Sequence, residues 1–92
     1  MMLAKRPHTV GNRRRYQIDY LEWLEEGVTV DTATVISSSQ TAPIDDVLVA
    51  GSKVIFFVNG GVLNETFTAS IQMIDSKTGI KNDTMDFFVV AP

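Results

Sequence analysis

Cysteine is absent from the chain, and histidine occurs once, as His8. Without thiols there is no disulfide framework, and no thiolate to bind a metal or attack a substrate. That one histidine lies in an N-terminal stretch that reads as a mobile arm, where nothing would fix its tautomer or hold it in place. With no other histidine the usual nucleophilic triads lack their base, so no catalytic residues are expected. No apolar run approaches the roughly 20 residues that a membrane-spanning helix needs, so no membrane partner is expected. The opening Met1-Met2-Leu3-Ala4-Lys5-Arg6-Pro7-His8 lacks the apolar stretch of a secretory signal, and a soluble, cytoplasmically made chain is the expectation. Basic residues are scarce beyond position 15, where three stand against eleven acidic ones.

The other five basic residues, Lys5, Arg6, Arg13, Arg14 and Arg15, lie in the first fifteen positions, which hold no acid. A segment of formal charge +5 therefore precedes one of −8. Residues 1–12 contain Pro7, Gly11 and Asn12 and no periodic apolar pattern, so residues 1–15 read as an extended basic arm attached to a folded domain over 16–92. On that reading, a chain lacking residues 1–15 should still fold. The chain is 92 residues long and 45% hydrophobic, which suffices for one small core.

From Tyr16 onward, β-branched and aromatic segments alternate with turn signals every eight to twelve residues, the spacing of a sandwich or barrel. Tyr16, Ile18 and Tyr20 share one face of a first strand. Leu21 to Glu26 fits a single helical turn stopped by Gly27. Within Val28–Ile36 the apolar parity switches between Val30 and Ala33, which predicts a bulge near Asp31-Thr32. Ile44–Val49 is a further strand candidate. Lys53-Val54-Ile55-Phe56-Phe57-Val58 is apolar at both parities, so both its faces need cover, one from the core and one from a loop or partner. Phe67, Ala69, Ile71 and Met73 alternate cleanly inward, and Asp75–Gly79 predicts a hairpin with Gly79 in the left-handed position. Met85, Phe87 and Val89 return along the last strand. The expectation is an all-β, immunoglobulin-like antiparallel sandwich with an extended N-terminal arm.

Chemistry-bearing clusters are sparse. Glu25-Glu26 and Asp45-Asp46 are adjacent carboxylates, and strand neighbours point to opposite faces, so neither pair is expected to share a proton. Asn82, Asp83, Asp86 and Asp75 bring oxygen donors to one hairpin region, without the spacing of a twelve-residue calcium loop, so no metal or cofactor is expected. For Arg13-Arg14-Arg15 a solvated tail and docking onto an acidic protein surface are about equally supported, because guanidinium groups pair bidentately with carboxylates. Nucleic-acid contact is the weaker reading, since interleaved stacking aromatics are missing. Trp23 fits a plug under the sandwich better than an interface anchor.

The order Arg14-Arg15-Tyr16-x-Ile18-Asp19-Tyr20-x-x-Trp23-Leu24, followed by Gly27-Val28-Thr29-Val30 and Thr34-Val35, resembles small tail-associated bacteriophage proteins described as fibre-to-tail adaptors. Phe57-Val58-Asn59-Gly60-Gly61, Asn64-Glu65-Thr66-Phe67-Thr68 and Ser76-Lys77-Thr78-Gly79 continue the resemblance, which covers roughly residues 13–90. Val35 and Asn64 depart from it, at positions where such proteins carry tryptophan and glycine. The resemblance implies an immunoglobulin-like virion protein with no catalysis, cofactor or metal, made in the bacterial host cytoplasm. Its partners would be other virion structural proteins of the tail, neck or fibre, met in multiple copies. The expected protein interface comprises Lys5, Arg6, Arg13, Arg14, Arg15, Trp23, Ile55 and Phe57. The alternatives are a capsid decoration protein and a host-surface or carbohydrate-binding module.

Overall fold

The computed structural model describes residues 2–92, and their side chains from Lys5 onward. Its strands are β1 (Met2–Thr9), β2 (Asn12–Asp19), β3 (Val30–Ser37), β4 (Ile44–Ala50), β5 (Lys53–Gly60), β6 (Thr66–Asp75) and β7 (Ile80–Val90). They form a four-stranded sheet in the order β1-β7-β6-β3 and a three-stranded sheet in the order β2-β5-β4. Every pairing is antiparallel except β1 with β7, which is parallel. An immunoglobulin sandwich sets its second, fifth and fourth strands in one sheet and its seventh, sixth and third in the other. This topology is compatible with that plan, with β1 lying beside β7.

The inward positions of each strand meet in one core. Val54, Phe56 and Val58 of β5 are fully buried, and so are Ala69, Met73 and Phe87 of the facing sheet. At the centre Phe87 stacks on Phe67 at 5.0 Å between ring centroids and takes the edge of Tyr16 at 4.8 Å. Phe56 completes the group from the second sheet, 6.5 Å from Phe87. Such offset and edge-on pairs add to simple area burial.

The parity switch in β3 has its expected cause. The register against β6 shifts between Val30 and Thr32, and Val30 and Val35 both face the core. A single inserted residue turns the strand by one side-chain step, so two out-of-phase apolar pairs reach the same side. The chain after β2 also forms the expected turn: Tyr20 carbonyl accepts from the amides of Trp23 and Leu24, and Gly27 follows at φ 78°. In the β6–β7 hairpin the left-handed residue is Thr78 (φ 66°), not Gly79. Gly79 is needed for a different reason. The Asp75 carboxylate accepts from the Lys77 and Gly79 amides, and a Cβ on Gly79 would sit 2.5 Å from its Oδ2.

The residues expected as an extended basic arm, 1–15, pair into both sheets where the structure describes them. Met1 lies outside the described residues, but residues 2–9 are β1 and residues 12–15 open β2. Pairing runs from Met2 to Thr9 along β7 and from Asn12 to Asp19 along β5. Between them Val10 and Gly11 carry the chain from one sheet to the other, with the Val10 amide donating to Val90 carbonyl and the Gly11 amide to Gly60 carbonyl. Among the described side chains of β1, His8 is fully buried and fixes the strand to the core. Carbonyls only accept, so His8 Nε2 donates to Asn12 carbonyl at 3.1 Å, while Nδ1 lies in hydrogen-bond contact, at 2.9 Å, with the Tyr16 hydroxyl, which also donates to Pro7 carbonyl at 3.2 Å. Pro7, which has no amide to donate, is tolerated because β1 is an edge strand.

Candidate interaction surfaces

The body is a rod of 42 × 22 × 19 Å, with its strands giving it a long axis. Exposed large apolar side chains occur at both ends, and Ile36, Leu48 and Val49 are exposed along β3 and β4. At one end the turn after β2 presents Leu21 and Trp23, and Ile80 starts β7 beside Lys81, whose ammonium lies 5.6 Å from the Trp23 ring centroid. At the other end Val62 and Leu63 project from the loop between β5 and β6, where Asn64 amide donates to Val89 carbonyl. That loop is pinned by Glu65, whose carboxylate accepts from the Val62 amide and from the Ser39 and Thr41 hydroxyls. These bonds hold the Glu65 carboxyl below its ordinary pKa.

Trp23 is 43% exposed and does not plug the sandwich. Tyr20 and Leu24, which flank it in the turn, supply the buried cover instead. Beneath them Lys81 Nζ pairs with the buried Asp83 at 3.2 Å. Burial, with the charge of Asp83 adding to it, pushes the Tyr20 hydroxyl well above the ordinary phenol range. Tyr16 is also raised, by burial, and the charges of Arg14 and Arg6 partly oppose the rise.

These two are the chain's only tyrosines, so their ionisation can be read without overlap from other phenols. The unfolded chain releases both protons near pH 10 and the folded chain holds them. Stability from these groups is therefore complete below about pH 10 and is lost as pH rises from there toward the raised values. Absorbance at 295 nm at pH 10–10.5 should show clearly less phenolate in the folded protein than in concentrated urea, where both phenols are about half ionised or more. Equal titration curves in the two states would contradict the buried placement.

The expected interface residues separate into groups. Lys5, on β1, places its ammonium 5.9 Å from the Phe88 ring centroid. Arg13 turns to the outer face of the three-stranded sheet, where it bonds Asp45 at 3.1 Å and also Asp46. Its guanidinium lies 4.0 Å over the Phe57 ring. The second apolar face of β5 is thus covered from within the chain: Phe57 is half-buried under Arg13, and Ile55, flanked by Gln17 and Leu48 in register, is only 8% exposed. Arg6, Arg14 and Arg15 come together around a cleft between β1 and β2.

The candidate calcium oxygens have partners in the chain. Asp75 holds its own hairpin, Asp83 pairs with Lys81, and Asp86 accepts from the Thr68 hydroxyl. Among the described residues no group of three or more His, Asp or Glu side chains could hold a metal ion. What the molecule displays is a small rigid sandwich with apolar ends and a basic side, the equipment of a protein-assembly module.

A protein-family model described as "Podophage GP4 fiber-tail adaptor protein gp77" matches residues 8–88. The chain belongs to this family of structural fibre-to-tail adaptors and is a component of the phage virion. No curated protein matches it. Among solved structures it resembles part of a Photobacterium sp. JT-ISH-224 2,6-sialyltransferase crystallised with CMP and lactose. The TM-score is 0.59 at 10% identity, over 100% of this chain and 18% of that one. That likeness shows a shared fold and nothing of activity.

Proposed function

We propose that this chain is a rigid, non-enzymatic spacer that holds a fibre protein at one end of its long axis and a tail protein at the other. The observation that carries the reading is the placement of exposed apolar residues at opposite ends of a 42 Å rod, Leu21, Trp23 and Ile80 at one and Val62 and Leu63 at the other. Exposed apolar clusters framed by polar surface suit protein contacts, and a large aromatic such as Trp23 suits the centre of one. Membership of an adaptor family supports the same reading, since joining two partners needs two separate surfaces. Of the interface residues expected from the sequence, Trp23 belongs to an end, Lys5, Arg6, Arg14 and Arg15 to the basic side, and Arg13, Ile55 and Phe57 are engaged within the chain. Multiple copies around the tail follow if fibres are attached symmetrically.

Single substitutions at the two ends separate the partners. Trp23→Asp should weaken co-sedimentation with one of the two purified partners, the fibre or the tail protein of the same phage, and spare the other. Leu63→Asp should do the reverse. Both residues are exposed, so circular dichroism should be unchanged. Normal binding by both variants, or loss of the same partner by both, would sink the two-ended arrangement.

A further inference from the structure

The sandwich is closed along one side, where β3 packs on β4, and is more open along the other, where the edge strands β1 and β2 belong to different sheets. Inward-facing positions on those two strands alternate His8 with Arg6 and Tyr16 with Arg14. His8 and Tyr16 are buried, whereas Arg6 and Arg14, one alternation earlier on each strand, are exposed at the mouth of the seam. Pro7, Tyr16 and Met85 line the cleft with them, and Arg15 and Gln17 complete it, Arg15 donating to Gln17 at 3.1 Å. Its volume is about 280 Å³.

Three guanidinium groups line this cleft and no carboxylate does. Arg13, the neighbour of Arg14, is neutralised by two aspartates, but Arg6 and Arg14 form no ion pair among the described residues. Arg14 instead lies 5.5 Å from the Tyr16 ring centroid. Inward charges on edge strands discourage stray strand pairing, and here they also leave two cations without counter-ions beside an apolar wall. In a chain whose remaining residues carry −8, this is a local concentration of positive charge open to an anionic partner.

We propose that the β1–β2 seam is a binding site for an extended acidic peptide segment, its carboxylates gripped bidentately by Arg6 and Arg14. A planar guanidinium matches a carboxylate in two parallel hydrogen bonds, and the free edges of β1 and β2 offer backbone groups to an extended chain. A protein segment is favoured over a nucleic acid. The only aromatic ring lining the cleft, Tyr16, is buried and offers no face on which a base could stack. The origin of the segment in a neighbouring tail or fibre protein rests on the adaptor reading. The site itself does not.

The test uses the full chain labelled with ¹⁵N and a blocked heptapeptide of alternating Glu and Gly. Titration should shift the amides of Arg6, Arg14, Tyr16 and Met85, and the effect should weaken as salt is raised. The Gln-for-Glu peptide should bind at least tenfold more weakly. Arg6→Gln and Arg14→Gln should each lower affinity for the acidic peptide while keeping a dispersed spectrum, and Arg13→Gln should leave it unchanged. Equal binding of the Glu and Gln peptides, no shifts at millimolar peptide, or tighter binding of an eight-residue oligothymidylate would overturn the proposal. Normal fibre attachment by the Arg6→Gln and Arg14→Gln variants would show the adaptor role to be independent of the seam.

Discussion

A chain lacking residues 1–15 should be unfolded. The truncation removes the described part of β1 together with Asn12–Arg15, half of β2. β7 loses its parallel partner from Thr84 to Val90, and β5 loses its pairing from Phe57 to Gly60. The core also loses His8, and with it the hydrogen bond to the Tyr16 hydroxyl. A domain of this size has a total stability of about 5–15 kcal/mol. Two stripped strand edges and a vacated core position exceed what it can tolerate. Far-ultraviolet circular dichroism should show a disordered chain with no cooperative thermal transition. A folded truncated chain would mean that residues 16–92 form the domain alone, as the sequence by itself suggests.

Phe87→Ala should cost about 3–5 kcal/mol, the range for deleting a buried aromatic side chain. Phe87 is fully buried and touches aromatic partners from both sheets: Tyr16 and Phe56 from one, Phe67 from its own. Its removal opens a cavity where the two layers meet. It also ends three ring–ring contacts that no single neighbour can replace. Phe87→Leu keeps most of the volume and should cost clearly less. Urea unfolding followed by Trp23 fluorescence measures both variants. A loss below about 1 kcal/mol for Phe87→Ala would mean that the core does not turn on this residue.

Where side chains alternate, the sequence announces the strands. Phe67 to Met73 and Met85 to Val89 follow period 2 and bury the expected faces, and the broken parity of Val28–Val35 locates the β3 bulge to within a residue. β1 leaves no such trace. Its core position is held by a histidine, and a polar residue satisfied by a distant tyrosine and a carbonyl looks the same in sequence as one in solvent. Its pairing with β7 joins residues some eighty positions apart, which no local pattern records.

The residues expected at an interface are legible in the sequence only as a group. Five basic residues in fifteen positions announce a basic surface, but which cations are free depends on partners far along the chain. Arg13 is satisfied by Asp45 and Asp46 and covers Phe57, which also explains the doubly apolar run in β5 without a partner subunit. Trp23 turned outward because Tyr20 and Leu24 already fill the space beneath the turn.

The most direct measurement of the adaptor role is electron microscopy of particles assembled without this chain. Spacer function between fibre and tail predicts particles with intact capsids and tails but no attached fibres, and fibre attachment restored when the full chain is supplied. Fibres attached in normal number in its absence would contradict the account.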